Sequence, residues 1–243
     1  MRVHRIYYPH EIIQGRPMLL DREVSHYLKT VLRVSLGQMI SLFDGQGREC
    51  SATVTQFQGK NVLVEAGSWV LRSVESPLQI TLAQGISRGE KMDFTLQKAV
   101  ELGVTHIVPL ITERVGVKFD EARAEHRLLH WQKVIISACE QSGRTCVPIL
   151  SPIRKFEQWI PESGQALKLI LDPHLAKKMN LSQGFSACTL LVGPEGGFSS
   201  KEVEQAIQAG FQAWQLGPRI LRTETAAMVA LSILQYSAGD LSV

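Results

Sequence analysis

The stretch Leu190-Leu191-Val192-Gly193-Pro194-Glu195-Gly196-Gly197-Phe198-Ser199 decides the fold, read with its counterpart Leu216-Gly217-Pro218-Arg219-Ile220-Leu221-Arg222-Thr223-Glu224-Thr225-Ala226. Each opens on an apolar run of strand character that stops at Gly-Pro, and each leads toward a helix. Proline has no N–H for a ladder and its fixed φ stiffens a loop. Gly193, Gly196 and Gly197 leave the main chain bare, so that a ligand can approach its N–H and C=O groups. A third apolar run ends similarly, in Leu171-Asp172-Pro173-His174. Ligands of open α/β sheets sit outside the carboxyl ends of the strands. Three proline-bearing loops at such ends predict one slot, suited to a flat heterocycle with an attached sugar and read mainly by main-chain groups. A single Gly-Pro merely turns the chain, but a turn needs neither the further glycines nor the acid Glu195.

The surrounding rhythm supports this placement. Strands are predicted at residues 78–83, 104–110, 147–150, 167–171, 189–192 and 212–216. Helices are predicted at 91–102, 122–141, 199–209 and 224–236. Gly103 is positioned to end the first helix, and Ser199 or Ser200 to cap the third with Glu202 in its first turn. Strands alternating with helices predict an α/β domain with a mostly parallel sheet covered on both faces. The last helix is apolar on more than one face, which fits burial against a partner subunit or deep in its own domain.

Residues 1–66 read differently. Short strands at 3–8, 38–43, 50–57 and 61–66 surround the turn clusters Asp44-Gly45-Gln46-Gly47 and Gln58-Gly59-Lys60, as in a small barrel. Asp21 can cap a helix whose apolar positions Val24, Tyr27, Leu28, Val31 and Leu32 recur at spacings of three and four. A linker around residues 72–77 divides the chain into domains 1–72 and 73–243.

The 243 residues are 44% hydrophobic and 20% charged, enough to build a core. No apolar run reaches the ~18 residues that cross a bilayer, and no signal peptide is legible. Cys50, Cys139, Cys146 and Cys188 form no CxxC pair, which fits a reducing, cytoplasmic compartment and no zinc site. His126 and His130 lack the HExxH pattern, so no metal is expected. Rossmann, P-loop and GxSxG signatures are absent. The formal charge of +3 is matched by the excess within residues 1–35, where Arg2, Arg5, Arg16, Arg22, Lys29 and Arg33 outnumber Glu11, Asp21 and Glu23. Such a face suits a polyanion, although small imbalances are common on solvated surfaces. Arg219, Arg222 and Glu224 at a helix start suggest a functional cluster, or a solvated ion pair with an N-cap from Thr223.

Both glycine-proline loops, with the segment Gly85-Ile86-Ser87-Arg88-Gly89-Glu90-Lys91-Met92, resemble the SPOUT methyltransferase superfamily. Within it the match is to the bacterial family that methylates N3 of a uridine in the decoding region of 16S ribosomal RNA. Residues 98–104, the Glu113-Arg114 dipeptide and residues 138–144 share in the likeness, which covers essentially the whole chain.

The resemblance implies an N-terminal PUA-like β-barrel that binds RNA and a trefoil-knotted C-terminal α/β domain. It also implies a homodimer with the active site near the subunit interface, and S-adenosylmethionine as methyl donor. Carried over, Val192, Gly193, Pro194, Glu195, Gly196 and Gly197 form the donor site with Leu216, Gly217, Ile220 and Leu221. Leu171 and Pro173 complete it, and Thr223 and Ala226 close it. Uridine N3 must lose its proton before it attacks. Glu224 is the expected base, and Arg222 or Arg219 the stabiliser of charge on O2 or O4. Arg88, Lys91 and Arg144 are expected to meet phosphates, together with Arg2, Arg5 and Arg16. The expected partner is 16S ribosomal RNA or the assembled small subunit. The alternatives are a non-catalytic RNA-binding or ribosome-assembly factor of the same fold, and a small-molecule transferase or hydrolase using a nucleotide.

Overall fold

A computed structural model describes residues 3–115, 121–164, 167–174 and 184–241, without the side chains of residues 121 and 122. The chain divides into two units, Met1–Glu75 with Cys139–Val147, and Ser76–Ala138 with Pro148–Val243.

The first unit holds β1 (His4–Tyr7), β2 (Pro17–Leu19), α1 (Arg22–His26), β3 (Met39–Phe43), β4 (Arg48–Gln58), β5 (Asn61–Ala66) and β6 (Val70–Leu71). Its strands order as β1-β3-β4-β5-β2, with β6 on β4. The β1–β3 pair is parallel and the other pairs antiparallel. The turn cluster 44–47 joins β3 to β4. There the Asp44 carboxylate accepts from the backbone N–H groups of Gln46 and Arg48 at 2.7 and 3.1 Å, the local bonding that suits aspartate to turns. Alternation in β4 and β5 buries Ala52, Val54, Val62 and Val64 against Leu20, Leu28, Ile40 and Leu42. The pairing of β4 with β5 shifts register between Val54 and Gln56, a bulge that bends the sheet.

Asp21 does cap α1, accepting from Val24 N at 2.8 Å. The helix then widens into a π turn over Tyr27–Val31, where Leu32 N bonds Tyr27 O. The wide turn rotates the following residues, so Val31 is 60% exposed, not on the buried stripe that its spacing predicts.

The second unit contains β7 (Gln79–Gly85), α2 (Glu90–Glu101), β8 (His106–Ile111), α3 (Glu121–Ser142, whose last turn belongs to the first unit), β9 (Ile149–Leu150), β10 (Arg154–Lys155), α4 (Phe156–Trp159), β11 (Leu167–Leu171), β12 (Ala187–Val192), α5 (Ser200–Gln208), β13 (Gln212–Trp214) and α6 (Thr223–Ala238). The strand order is β10-β8-β7-β12-β11-β13 with β9 on β8, and every pairing is parallel. The central strands are apolar on both faces, as parallel strands under helices must be: Ile80, Leu82, Ile107, Leu169, Ile170, Leu190 and Leu191 are all fully buried. Gly103, at φ +79°, follows the end of α2, and Ser199 caps α5 in a capping box with Glu202. The expected strands at 147–150 and 212–216 shorten to β9 and β13, and β2, β6, β10 and α4 were not foreseen. These four are held by tertiary contacts, such as the buried Phe156 and Trp159 of α4, and carry little local pattern.

In α6, Ala227, Ala230, Leu231 and Leu234 are buried within the unit, while Ile233 and Tyr236 are exposed. No helix among the described residues is long and apolar enough to cross a membrane.

Candidate functional site

The parallel sheet sets the site. The carboxyl ends of β7, β12, β11 and β13 lie along one edge, and β11 stands between β12 and β13. At the ~4.8 Å strand spacing, the ends of β12 and β13 are about 10 Å apart with the end of β11 between them. The two glycine-proline loops continue β12 and β13 and therefore flank the end of β11. Between them lies a cavity of about 410 Å³. Leu171, Val192 and Trp214, the last residues of the three strands, line it.

All fourteen residues expected to form a donor site lie on this wall: Leu171 and Pro173, the run Val192, Gly193, Pro194, Glu195, Gly196 and Gly197, then Leu216, Gly217, Ile220, Leu221, Thr223 and Ala226. Arg219 and Arg222 are on it too, and exposed. Glu224 is not on the wall. It lies one residue into α6, and its Oε2 is buried with no hydrogen-bond partner among the described residues. Arg222, not Thr223, occupies the N-cap position of α6, and its side chain makes no capping bond.

Thr223 has a different task. Its hydroxyl donates to Gly193 O at 2.6 Å and accepts from Gln84 Nε2 at 3.1 Å, all within a buried node. One side chain thereby ties the loop after β13 to the loop after β12. Gly85, at the end of β7, lets that loop come close. A Cβ on Gly85 would stand 2.5 Å from Pro194 Cδ and 2.7 Å from Pro194 N. Gly193 itself packs against Gly197, where an added Cβ would find backbone at 3.2 Å.

Charge is arranged around Glu195. Its carboxylate accepts from Arg88 N at 3.1 Å and lies 3.4 Å from Lys91 Nζ. Burial alone would raise its pKa, but the backbone N–H donors and Lys91 outweigh that and hold it below the usual carboxylate range. Arg114 also lines the cavity, its Nη1 donating to Gly196 O at 3.2 Å. With Phe198, Trp214 and Gln215, it is a wall residue that the sequence reading did not assign. The Glu113-Arg114 dipeptide was visible, but nothing local says that it folds onto a loop some 80 residues away.

The expected phosphate-binding cations separate into three groups. Arg16 and Arg88 are exposed, and Lys91 is half-buried on the wall. Arg2 lies outside the described residues. Arg5 and Arg144 are turned inward, which corrects their assignment. Arg5 donates to the carbonyls of Cys139 and Arg144 at 2.9 and 3.2 Å, pairs with Glu49, and stacks on Phe43. Arg144 is 5% exposed and pairs with Glu75 at 2.6 Å. Guanidinium groups committed to buried carboxylates and carbonyls are structural ties, not phosphate ligands.

Cys50, Cys139 and Cys188 are free and buried. Burial pushes Cys139 and Cys188 up to about 12 and Cys50 up to about 11. Among the described residues, no group of three His, Cys, Asp or Glu side chains is placed to hold a metal ion.

A family model described as an RNA methyltransferase domain matches residues 74–235, and one described as an RNA methyltransferase PUA domain matches residues 20–66. The ribosomal RNA small subunit methyltransferase E of Buchnera aphidicola (subsp. Schizaphis graminum) is 34% identical over 99% of this chain and 99% of its own length. The chain belongs to the ribosomal RNA small subunit methyltransferase E family. The Bacillus subtilis member is 30% identical over 93% of this chain and 92% of its own length. Among solved structures, the family member from Neisseria gonorrhoeae bound to S-adenosylmethionine superposes with a TM-score of 0.90 at 42% identity, covering 99% of this chain and all of that one. A Legionella pneumophila protein in complex with the cofactor SAM gives a TM-score of 0.94 at 41% identity, again over 99% and 100% of the two chains. Within the family, the architecture is the expected one: an N-terminal PUA-like unit and a SPOUT-type α/β domain with a parallel sheet.

Proposed function

We propose that this chain transfers a methyl group from S-adenosylmethionine to N3 of a uridine in 16S ribosomal RNA, acting in the cytoplasm as a homodimer. The observation that carries the proposal is the cavity at the three strand ends, whose wall gathers every residue expected of a methyl-donor site. Its size falls at the lower end of the ~300–1,000 Å³ typical of small-molecule sites. Gly85 lets β7 approach Pro194, and Gly193 lets the loop after β12 close on Gly197, contacts that an added Cβ would obstruct. The solved relatives that carry S-adenosylmethionine support the choice of donor.

The donor, when bound, supplies an electrophilic methyl group on a positively charged sulfur. Leu171, Val192 and Leu216 offer apolar contacts for its ring, and the carbonyls of the two loops offer acceptors. The Glu195 carboxylate, kept ionised by its donors, adds negative charge beside that cation. The uridine N3–H is a weak nucleophile until its proton leaves. Glu224, off the wall at the start of α6, is the proposed base; in that role its side chain must turn toward the cavity from a position where Oε2 is buried without a hydrogen-bond partner among the described residues. Arg219 and Arg222, exposed on the wall, are the proposed stabilisers of charge on O2 and O4. Arg2, Arg16, Arg88 and Lys91 remain the proposed phosphate contacts. The exposed Ile233 and Tyr236 of α6 support burial of that face against a second copy.

The test is methyl transfer from labelled S-adenosylmethionine to small-subunit ribosomal RNA and to assembled particles, followed by nuclease digestion and mass spectrometry. N3-methyluridine is expected. Methyl on another atom, or none on either substrate, overturns the proposal. Single-turnover rates of Glu224→Gln test the base, and an unchanged rate removes it.

A further inference from the structure

Glu202 is a buried carboxylate, 4% exposed, outside the cavity wall. Among the described residues it has no ion pair, so its desolvation is offset by hydrogen bonds alone. One oxygen, Oε2, accepts from Ser199 N at 2.9 Å, which completes the capping box of α5. The capping box leaves Oε1 unused. That oxygen instead accepts from Glu113 N at 2.8 Å, across 89 residues of chain, just beyond the end of β8. The next residue, Arg114, lies over the loop after β12. Its Nη1 donates to Gly196 O, and a Cβ on Gly196 would stand 3.0 Å from Arg114 Cβ. The same loop is closed from within by a bond from Gly197 N to Pro194 O at 2.9 Å.

We infer that Glu202 is a positioning residue: its carboxylate fixes the turn carrying Arg114, and Arg114 in turn holds the Gly196 carbonyl and so the binding shape of the glycine loop. The brace deepens the donor-site reading above and rests on it for its function. It acts from outside the cavity, through one side chain that reaches two backbones. Preorganising a loop in this way lowers the entropy lost on binding.

A double-mutant cycle tests it, with two readouts. The variants are Glu202→Gln, Arg114→Ala and the pair. In Glu202→Gln, the amide nitrogen meets one of the two backbone N–H groups and leaves it unpaired. The first readout is calorimetric binding of S-adenosylhomocysteine. Each single variant should weaken it about tenfold, and the pair should be no weaker than Arg114→Ala within about twofold, because both act through one contact. The second is hydrogen exchange of the Gly197 amide in the free protein, which should speed up in both single variants and no further in the pair. Glu202→Gln should also lower thermal stability through its helix cap, and Arg114→Ala should not. That loss is the only effect a purely structural role produces.

Losses that multiply in the pair, to about a hundredfold, overturn the inference. So does a Glu202→Gln protein with unchanged Gly197 exchange. A wild-type protein that gives no binding heat contradicts the donor-site reading instead, and the exchange readout still decides the brace.

Discussion

Replacing Gly85 by alanine isolates the contact between β7 and the glycine loop. Gly85 lies in a strand and is not among the positive-φ glycines, so alanine meets no backbone strain there. Its effect is steric. The new methyl would sit 2.5 Å from Pro194 Cδ, 2.7 Å from Pro194 N and 3.0 Å from Gly193 C. These are ring and backbone atoms, so no rotamer relieves the clash. Ordinary contact begins near 3.4 Å, so the loop must retreat by about 0.9 Å at its worst point. A retreat also strains the bond by which Thr223 holds Gly193 O at 2.6 Å. Overpacking of this kind costs ~1–3 kcal/mol of stability. A misplacement of about 1 Å in a positioning element costs roughly 10²-fold in rate. Denaturant unfolding measures the first, and kcat/KM for methyl transfer to ribosomal RNA the second. A Gly85→Ala protein with wild-type stability and a rate within about threefold of wild type would refute the claim that this close approach shapes the site.

Three further outcomes are expected. Thr223→Val removes a hydroxyl that serves Gly193 O and Gln84 Nε2 in a buried node, and should cost ~1–3 kcal/mol in denaturant unfolding along with donor affinity. Arg144→Ala removes the cation from Glu75, which keeps the Thr145 and Cys146 N–H groups, and should destabilise by ~1–3 kcal/mol, while leaving the salt dependence of RNA binding by the folded fraction unchanged. For Glu140, burial raises the folded carboxyl's pKa against the opposing Tyr7 N–H, Arg5 and Tyr27. The folded state therefore holds that proton more tightly than the unfolded chain does, so ionisation of Glu140 destabilises the fold as pH rises through the two pKa values. Glu140→Gln, which can still accept from Tyr7 N, should stabilise at neutral pH and be without effect below the unfolded carboxyl pKa; melting curves across pH check the sign.

What the sequence disclosed was local or periodic. Asp21 and Ser199 cap helices through bonds spanning three residues, and both were legible. The apolar run before Gly193-Pro194 marked its strand end correctly, because proline and glycine act on their own backbone, whereas β13 ends at Trp214, two residues before its expected end at Leu216. The insertion of β11 between β12 and β13 carries no local signal, yet it spaces the two loops around a ligand-sized gap. Arg5 and Arg144 misled for the same reason: their carboxylate partners Glu49 and Glu75 lie 44 and 69 residues away, so nothing local shows that their charges are already paired. Arg114 and Gly85 were missed as parts of the site because each acts through a contact with the glycine loop that only the folded chain creates. Glu224 was legible as a carboxylate beside two arginines, but its position off the cavity wall was not.

The central claim is that the two glycine-proline loops clasp one methyl donor across the end of β11. The most direct measurement is a crystal structure of this protein grown with S-adenosylmethionine. Density for the donor is expected above Leu171 and Trp214, within hydrogen-bonding distance of main-chain groups of residues 193–197 and 216–221. Well-ordered loops with the donor bound elsewhere, or excluded at saturating concentration, contradict it.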